Sequence, residues 1–166
     1  TGTNISVNLA TGIGTGGDAA GDVFTNFENV QGGSGADSIS GDNNANILSG
    51  GVGADTLNGA GGDDQIFGEE SNDTIDGGAG NDTIWSDVGD DLFKGGAGND
   101  LYLMAYATGN VTINDASGND TVSFFLENTP TAILAIPLKY MHTTVEMAHK
   151  DDVKNCIELF VKTLIA

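Results

Sequence analysis

Between Gly32 and Leu103 a nine-residue unit repeats eight times without insertion or deletion, starting at Gly32, Gly41, Gly50, Gly59, Gly68, Gly77, Ser86 and Gly95. Its sixth position reads Asp37, Asn46, Asp55, Asp64, Asp73, Asp82, Asp91 and Asp100. Its eighth position reads Ile39, Leu48, Leu57, Ile66, Ile75, Ile84, Phe93 and Tyr102. Seven acids in eight places, each followed two residues later by an apolar side chain, are hard to obtain from compositional bias. A chain so patterned is expected to coil in nine-residue half-turns. Each half-turn sends one acid outward and one side chain into a core.

The first six residues of a unit are turn material and the last three are strand material. Gly77-Gly78-Ala79-Gly80-Asn81-Asp82 precedes Thr83-Ile84-Trp85, and Gly95-Gly96-Ala97-Gly98-Asn99-Asp100 precedes Leu101-Tyr102-Leu103. Glycine at the first, second and fourth places permits positive φ and leaves carbonyls unshielded. A three-residue strand points its middle residue inward. Ile39, Leu57, Ile75 and Phe93 are therefore expected on one inner face, and Leu48, Ile66, Ile84 and Tyr102 on the opposite one. Parallel strands lie about 4.8 Å apart, so the acids must stack as well. Two unit charges 5 Å apart repel by roughly 3 kcal/mol at an effective dielectric near 20. A hard divalent cation between turns removes that penalty. Carboxylate and carbonyl oxygens without thiolates suit Ca²⁺, which takes six to eight oxygens in flexible geometry, better than Mg²⁺.

The unit resembles the RTX nonapeptide, G-G-x-G-x-D-x-U-x, of calcium-bound parallel β-rolls. The resemblance implies an all-β, right-handed parallel β-roll (β-solenoid) of about four two-strand turns, to which the residues after the array add, on their own pattern, a short C-terminal strand-helix α/β tail. It implies calcium between units 32 and 50, 50 and 68, and 68 and 86 on one side. On the other side the pairs are 41 and 59, 59 and 77, and 77 and 95. The implied side-chain ligands are Asp37, Asp55, Asp64, Asp73, Asp82, Asp91 and Asp100. Implied carbonyl ligands are Gly32, Gly33 and Gly35, then Gly50, Gly51, Val52 and Gly53, and Gly59, Ala60, Gly61 and Gly62. Gly77, Gly78, Ala79 and Gly80, with Gly95, Gly96, Ala97 and Gly98, complete the set. The best sites are expected around Asp64, Asp82 and Asp100. Asn46, Asp42-Asn43-Asn44, Glu69-Glu70-Ser71 and Ser86-Asp87 depart from the pattern, so about four to six ions are expected. Composition alone also allows a disordered Gly/Asp/Asn-rich linker, against which the unbroken apolar eighth position argues. Disorder is expected without calcium, because binding and folding are coupled in such sites.

The chain carries 24 acidic and five basic residues, a net charge of −19. Asn128 follows 20 acids and one lysine, Lys94; four acids and four lysines come after it. Such acidity opposes nucleic-acid and anionic-membrane partners. One cysteine, Cys156, excludes an internal disulfide and reads as a small buried hydrophobe. No 18-residue apolar run marks a transmembrane helix. Thr1-Gly2-Thr3 has no signal-peptide pattern, so residue 1 is expected to lie inside a longer parent domain. Gly12 to Gly17 matches G-x-G-x-x-G but lacks a strand–helix context for phosphate.

Residues 1–31 read as a lead-in with a capping strand at Ile5–Leu9, residues 32–103 as the roll, and residues 104–127 as a C-terminal cap. Asp115–Ser123 looks like one more unit displaced by two residues. Its Asp120 is a candidate metal ligand, although a metal-free capping turn is the favoured reading; arrays need atypical ends that cover the edge strand.

Composition breaks near Asn128. All 26 glycines lie at or before Gly118, whereas both prolines and both histidines follow the break. Thr131–Ile136 reads as a buried strand. Asp151–Ile165 reads as an amphipathic helix, with Asp151 as N-cap and Val153, Cys156, Ile157, Phe160 and Leu164 on one face. Pro130–Glu146, followed by Asp151-Asp152-Val153, resembles the C-terminal end of glutamyl aminopeptidase/endoglucanase-type metallopeptidases. The resemblance implies that His142 matches a ligand of a two-metal centre. One histidine cannot hold such a pair, so no enzymatic activity is expected, and residues 128–166 read as a tail of foreign origin. The leading functional expectation is a secreted calcium-binding module that folds on Ca²⁺, linked to an effector or enzyme domain and passing type I export machinery. The alternatives are a metallo-aminopeptidase fragment fused to the array, and an adhesive or ice-binding solenoid.

Overall fold

In a computed structural model, residues 2–115, 117–125, 133–137 and 145–147 are described. The lead-in carries β1 (Ser6–Asn8), β2 (Ile13–Thr15) and β3 (Asn29–Ser34). The repeats carry β4 (Ser38–Ser40), β5 (Ile47–Val52), β6 (Thr56–Asn58), β7 (Gln65–Glu70), β8 (Thr74–Ala79), β9 (Thr83–Val88) and β10 (Asp91–Ala97). They are followed by β11 (Leu101–Thr108), β12 (Val111–Ile113), β13 (Thr121–Phe125), β14 (Ile133–Pro137) and β15 (Val145–Met147).

Alternate half-turns build two sheets. One runs β15-β12-β10-β8-β6-β4-β1-β2 and the other β14-β13-β11-β9-β7-β5-β3. Every pairing between repeat strands is parallel and joins like positions of units two apart: Leu57 faces Ile75 and Ile66 faces Ile84. The result is a β-solenoid of about 5 turns, one more than the eight regular units supply.

Half of the additional turn is the unit at 115–123, and the other half is a unit that the nine-residue count skips. Between Met104 and Thr108 the β11–β9 register shifts. Beyond that bulge both sheets pair at a spacing of 20: Asp91 with Val111, and Leu101 with Thr121. Residues 106–114 therefore form a unit with Val111 at the sixth position and Ile113 at the eighth, 3% and 1% exposed. Residues 115–123 follow in the same shifted register. An apolar residue at the sixth place removes the acid from the end of that column.

The eighth positions make the core. Ile39, Leu57, Ile75, Phe93 and Ile113 stack in one column, and Leu48, Ile66, Ile84, Tyr102 and Val122 in the other, all buried in one cluster. Each such aliphatic or aromatic side chain contributes about 1.5–3 kcal/mol relative to exposure.

Antiparallel strands cover one sheet edge at the N-terminal end and both at the C-terminal end. β2 folds back on β1. At the other end β14 pairs with β13, Val122 facing Ile136, and β15 pairs with β12, Thr112 facing Glu146. The expected strand at Thr131–Ile136 thus appears as β14 and occupies an edge that would otherwise expose unpaired backbone groups. The expected helix at Asp151–Ile165, Cys156 and His142 lie outside the described residues. Among the described residues no helix is long and apolar enough to cross a membrane.

Candidate metal centres

The sixth-position acids do not point outward. Asp37, Asp55, Asp64, Asp73, Asp82, Asp91 and Asp100 are all buried, as is Asn46 at the same place. The expectation of an outward acid fails because the glycine turns of neighbouring units close over the corner where the carboxylate sits.

Each acid grips the turn before it. The backbone N–H of Asp37 donates to Asp55 Oδ1 at 2.7 Å, Asp55 to Asp73 at 2.8 Å, and Asp73 to Asp91 at 3.0 Å. In the other column Asn46 donates to Asp64 Oδ1 at 2.7 Å, Asp64 to Asp82 at 2.9 Å, and Asp82 to Asp100 at 2.8 Å. This uses one oxygen per carboxylate. The second, Oδ2, is buried without a hydrogen-bond partner in Asp55, Asp64, Asp73, Asp82 and Asp100. Buried polar atoms are seldom left so, and an anion in that state is costly.

The first-position glycines face these oxygens. A Cβ on Gly59 would collide with Asp64 Oδ2 and with the carbonyl oxygen of Gly77, one turn on. A Cβ on Gly77 would collide with Asp82 Oδ2 and lie 2.6 Å from Gly95 O. Gly32 stands in the same relation to Asp37 and Gly50 O, and Gly41 to Asn46 and Gly59 O. First-position glycine is therefore required for close approach. Positive φ, expected there too, is confined to the second and fourth positions, as at Gly78 (104°) and Gly80 (139°). Ala60 and Glu69 at the second place and Ser71 at the fourth hold the same conformation, at φ of 74°, 74° and 90°.

The carboxylate and first-position carbonyl oxygens thus meet at one corner. The third-position carbonyls of Val52, Ala79 and Ala97 behave differently: they accept the N–H groups of Gly35, Gly62 and Gly80 from the preceding turn. Ala60 O accepts from Ala79 N. Each of these carbonyls keeps one lone pair for a ligand.

Burial raises the pKa of Asp64, Asp73 and Asp100 to about 7, the hydrogen-bonding backbone N–H offsets part of the rise, and neighbouring acids add to it. Asp55, Asp82 and Asp120 are shifted upward by burial as well. Among the described residues the one salt bridge is Lys94–Asp76, on the outer surface. Among the described residues no basic side chain neutralises the orphan Oδ2 atoms. The donor set fits an oxygen-seeking cation of Ca²⁺ type.

The degenerate units differ as their residues dictate. In unit 41, Asn46 Oδ1 accepts from Asp42 N at 2.9 Å and Asp42 Oδ1 from Asn44 N at 2.8 Å, a self-contained turn. Asp120 takes a sixth-position place after all: it is buried, and its Oδ1 accepts the Asp100 N–H at 2.9 Å. Asp115 was not anticipated as a site residue. It lies with Asp100 and Asp120 in a group whose ligand atoms are within 4.8 Å of one another.

A family model of the RTX calcium-binding nonapeptide repeat (4 copies) matches residues 27–57, 40–75 and 67–102. The roll is thus an RTX repeat array, a non-catalytic calcium-binding type of segment typical of secreted proteins. A model of the M42 glutamyl aminopeptidase matches residues 105–159, reaching from the last turns of the roll into the tail. No curated protein and no solved structure matches the chain.

Proposed function

We propose that the chain is a calcium-responsive folding module of an extracellular protein, serving the secretion, folding and stability of a covalently linked effector or enzyme domain. The observation that carries the reading is the row of buried, unpartnered Oδ2 atoms at Asp55, Asp64, Asp73, Asp82 and Asp100. Without a cation these acids oppose folding; with one they tie successive turns together. Asp37, Asp55, Asp73 and Asp91 would hold ions in one column, and Asp64, Asp82 and Asp100 in the other, about four to six in all. Carbonyls of the glycine turns would complete each shell.

Such coupling suits export. In a calcium-poor cytosol the chain stays unfolded and can thread type I export machinery. Outside, millimolar calcium matches sites with a Kd of about 10⁻⁴–10⁻³ M and drives folding. A calcium titration followed by circular dichroism tests this: β signal should appear with calcium and vanish with chelator. A chain equally structured in chelator sinks the reading.

The M42 match favours a second reading, an aminopeptidase fragment fused to the array. His142 alone cannot hold a cocatalytic metal pair, so we read the chain as non-enzymatic. Peptide hydrolysis by the purified chain with added zinc or cobalt would reverse that choice. An adhesive or ice-binding surface needs one residue type repeated outward. The outward seventh positions of one sheet, Ser38, Thr56, Thr74 and Leu92, break such a ladder.

A further inference from the structure

The C-terminal end of the roll departs from the array in a way that creates a different site. At Gly77 the oxygen of the next turn that faces the α-carbon is a carbonyl, Gly95 O. At Gly95 the equivalent place is taken by a side chain, because the next turn opens with Asp115 and not glycine. A Cβ on Gly95 would lie 2.6 Å from Asp115 Oδ2 and would also collide with Asp100 Oδ2. Asp100 is 2% exposed, and its Oδ2 has no partner. Asp120 closes the group from the sixth position of the same turn, its Oδ1 held by the Asp100 N–H. Asp115 is oriented by a phenol from the core: Tyr102 Oη accepts from Gly95 N at 2.7 Å and donates to Asp115 Oδ2 at 2.7 Å.

We infer that Asp100, Asp115 and Asp120 form a terminal calcium site with three carboxylates, in which the Asp115 side chain replaces a backbone carbonyl and Tyr102 positions it. The inference rests on the calcium-roll reading and extends it beyond the regular repeats. Three acids on one cation give it more negative charge than the internal sites, whose corners combine acids with carbonyls. It should therefore fill at lower calcium than they do, locking the end of the roll on which β13 lies.

Native mass spectrometry of the full chain during a calcium titration reads the ion count. Asp115→Asn keeps an acceptor for the Tyr102 hydroxyl and removes one charge. The expected result is a chain that still gains β circular dichroism with calcium but binds one ion fewer, or binds its first ion at tenfold higher calcium or more. Asp115→Gly, which restores the glycine of the regular unit, should keep the ion count but bring the first-ion affinity down to that of the internal sites, and decides the matter if Asp115→Asn does not fold. An unchanged ion count and first-ion affinity in a folded variant overturns the terminal site while leaving the other sites standing. A chain that binds no calcium at all overturns the calcium-roll reading itself.

Discussion

The backbone N–H of Asp64 donates to Oδ1 of Asp82, 2.9 Å away and one full turn on, and leaves Asp82 Oδ2 buried without a partner. One carboxylate thus performs two tasks with two oxygens. The first closes the preceding turn, and the second is left for a cation.

These tasks separate by mutation. Asp82→Asn keeps an oxygen for the Asp64 N–H and loses the charge; Asp82→Ala loses both. Leaving a buried N–H unsatisfied costs about 1–3 kcal/mol. Denaturant unfolding in saturating calcium should rank the chains wild type, Asp82→Asn, Asp82→Ala, with roughly that gap between the two variants. Equal stability of the variants would show that the ladder bond contributes nothing.

Acid should partly substitute for calcium. A carboxyl whose folded pKa exceeds its unfolded value holds its proton more tightly when folded. Ion-free stability is therefore greatest below the unfolded value of 3.8 and falls as the pH rises towards about 7, where Asp64, Asp73 and Asp100 titrate. In chelator, β circular dichroism should be stronger near pH 4 than near pH 8. Calcium added near pH 6 to ion-free chain that acid has already folded should release protons, measurable in weak buffer; binding to that folded form without release would contradict the shifts.

Asn46 is the one sixth-position residue of the regular units without a carboxylate. Asn46→Asp adds an acid beside Asp42 and Asp64, which should weaken the ion-free chain. With calcium it should raise the affinity of the site between units 41 and 59 several-fold, and calorimetry should resolve the change. Weaker calcium binding by Asn46→Asp would mean that the self-contained Asp42–Asn44 turn blocks the corner.

Ala60 holds a φ of 74° at a place where half of the regular units have glycine. The left-handed region costs a non-glycine residue about 1–2 kcal/mol. Ala60→Gly should stabilise the calcium-bound roll by about 1 kcal/mol after the added unfolded-state entropy, seen as a higher denaturant midpoint. A lower midpoint would place the entropy cost above the strain.

Much of the roll was legible in the repeat. Period nine assigned Ile39 through Tyr102 to two facing columns, because a strand residue's side follows from its place in the unit. It also paired the acids by column. The unit at 106–114 was hidden, although Val111-Thr112-Ile113 alternates as a strand should. A bulge after Met104 displaced it by two residues, and its sixth place carries no acid to mark it. Asp115 was missed for another reason: the displaced unit at 115–123 placed it at a first position, where the repeat leads one to expect a glycine carbonyl and not a side-chain ligand.

Local pattern therefore settled which residues enter the core and which acids share a column, since both depend only on spacing along the chain. Stacking settled the rest. It buried the acids, because a neighbouring turn covers each corner. It made first-position glycine a matter of clearance against Asp Oδ2, whereas positive φ belongs to the second and fourth places. It also brought Asp115 from the last turn against Asp100, and laid β14 and β15 along the end of the roll. These depend on distances between turns, which no single unit contains.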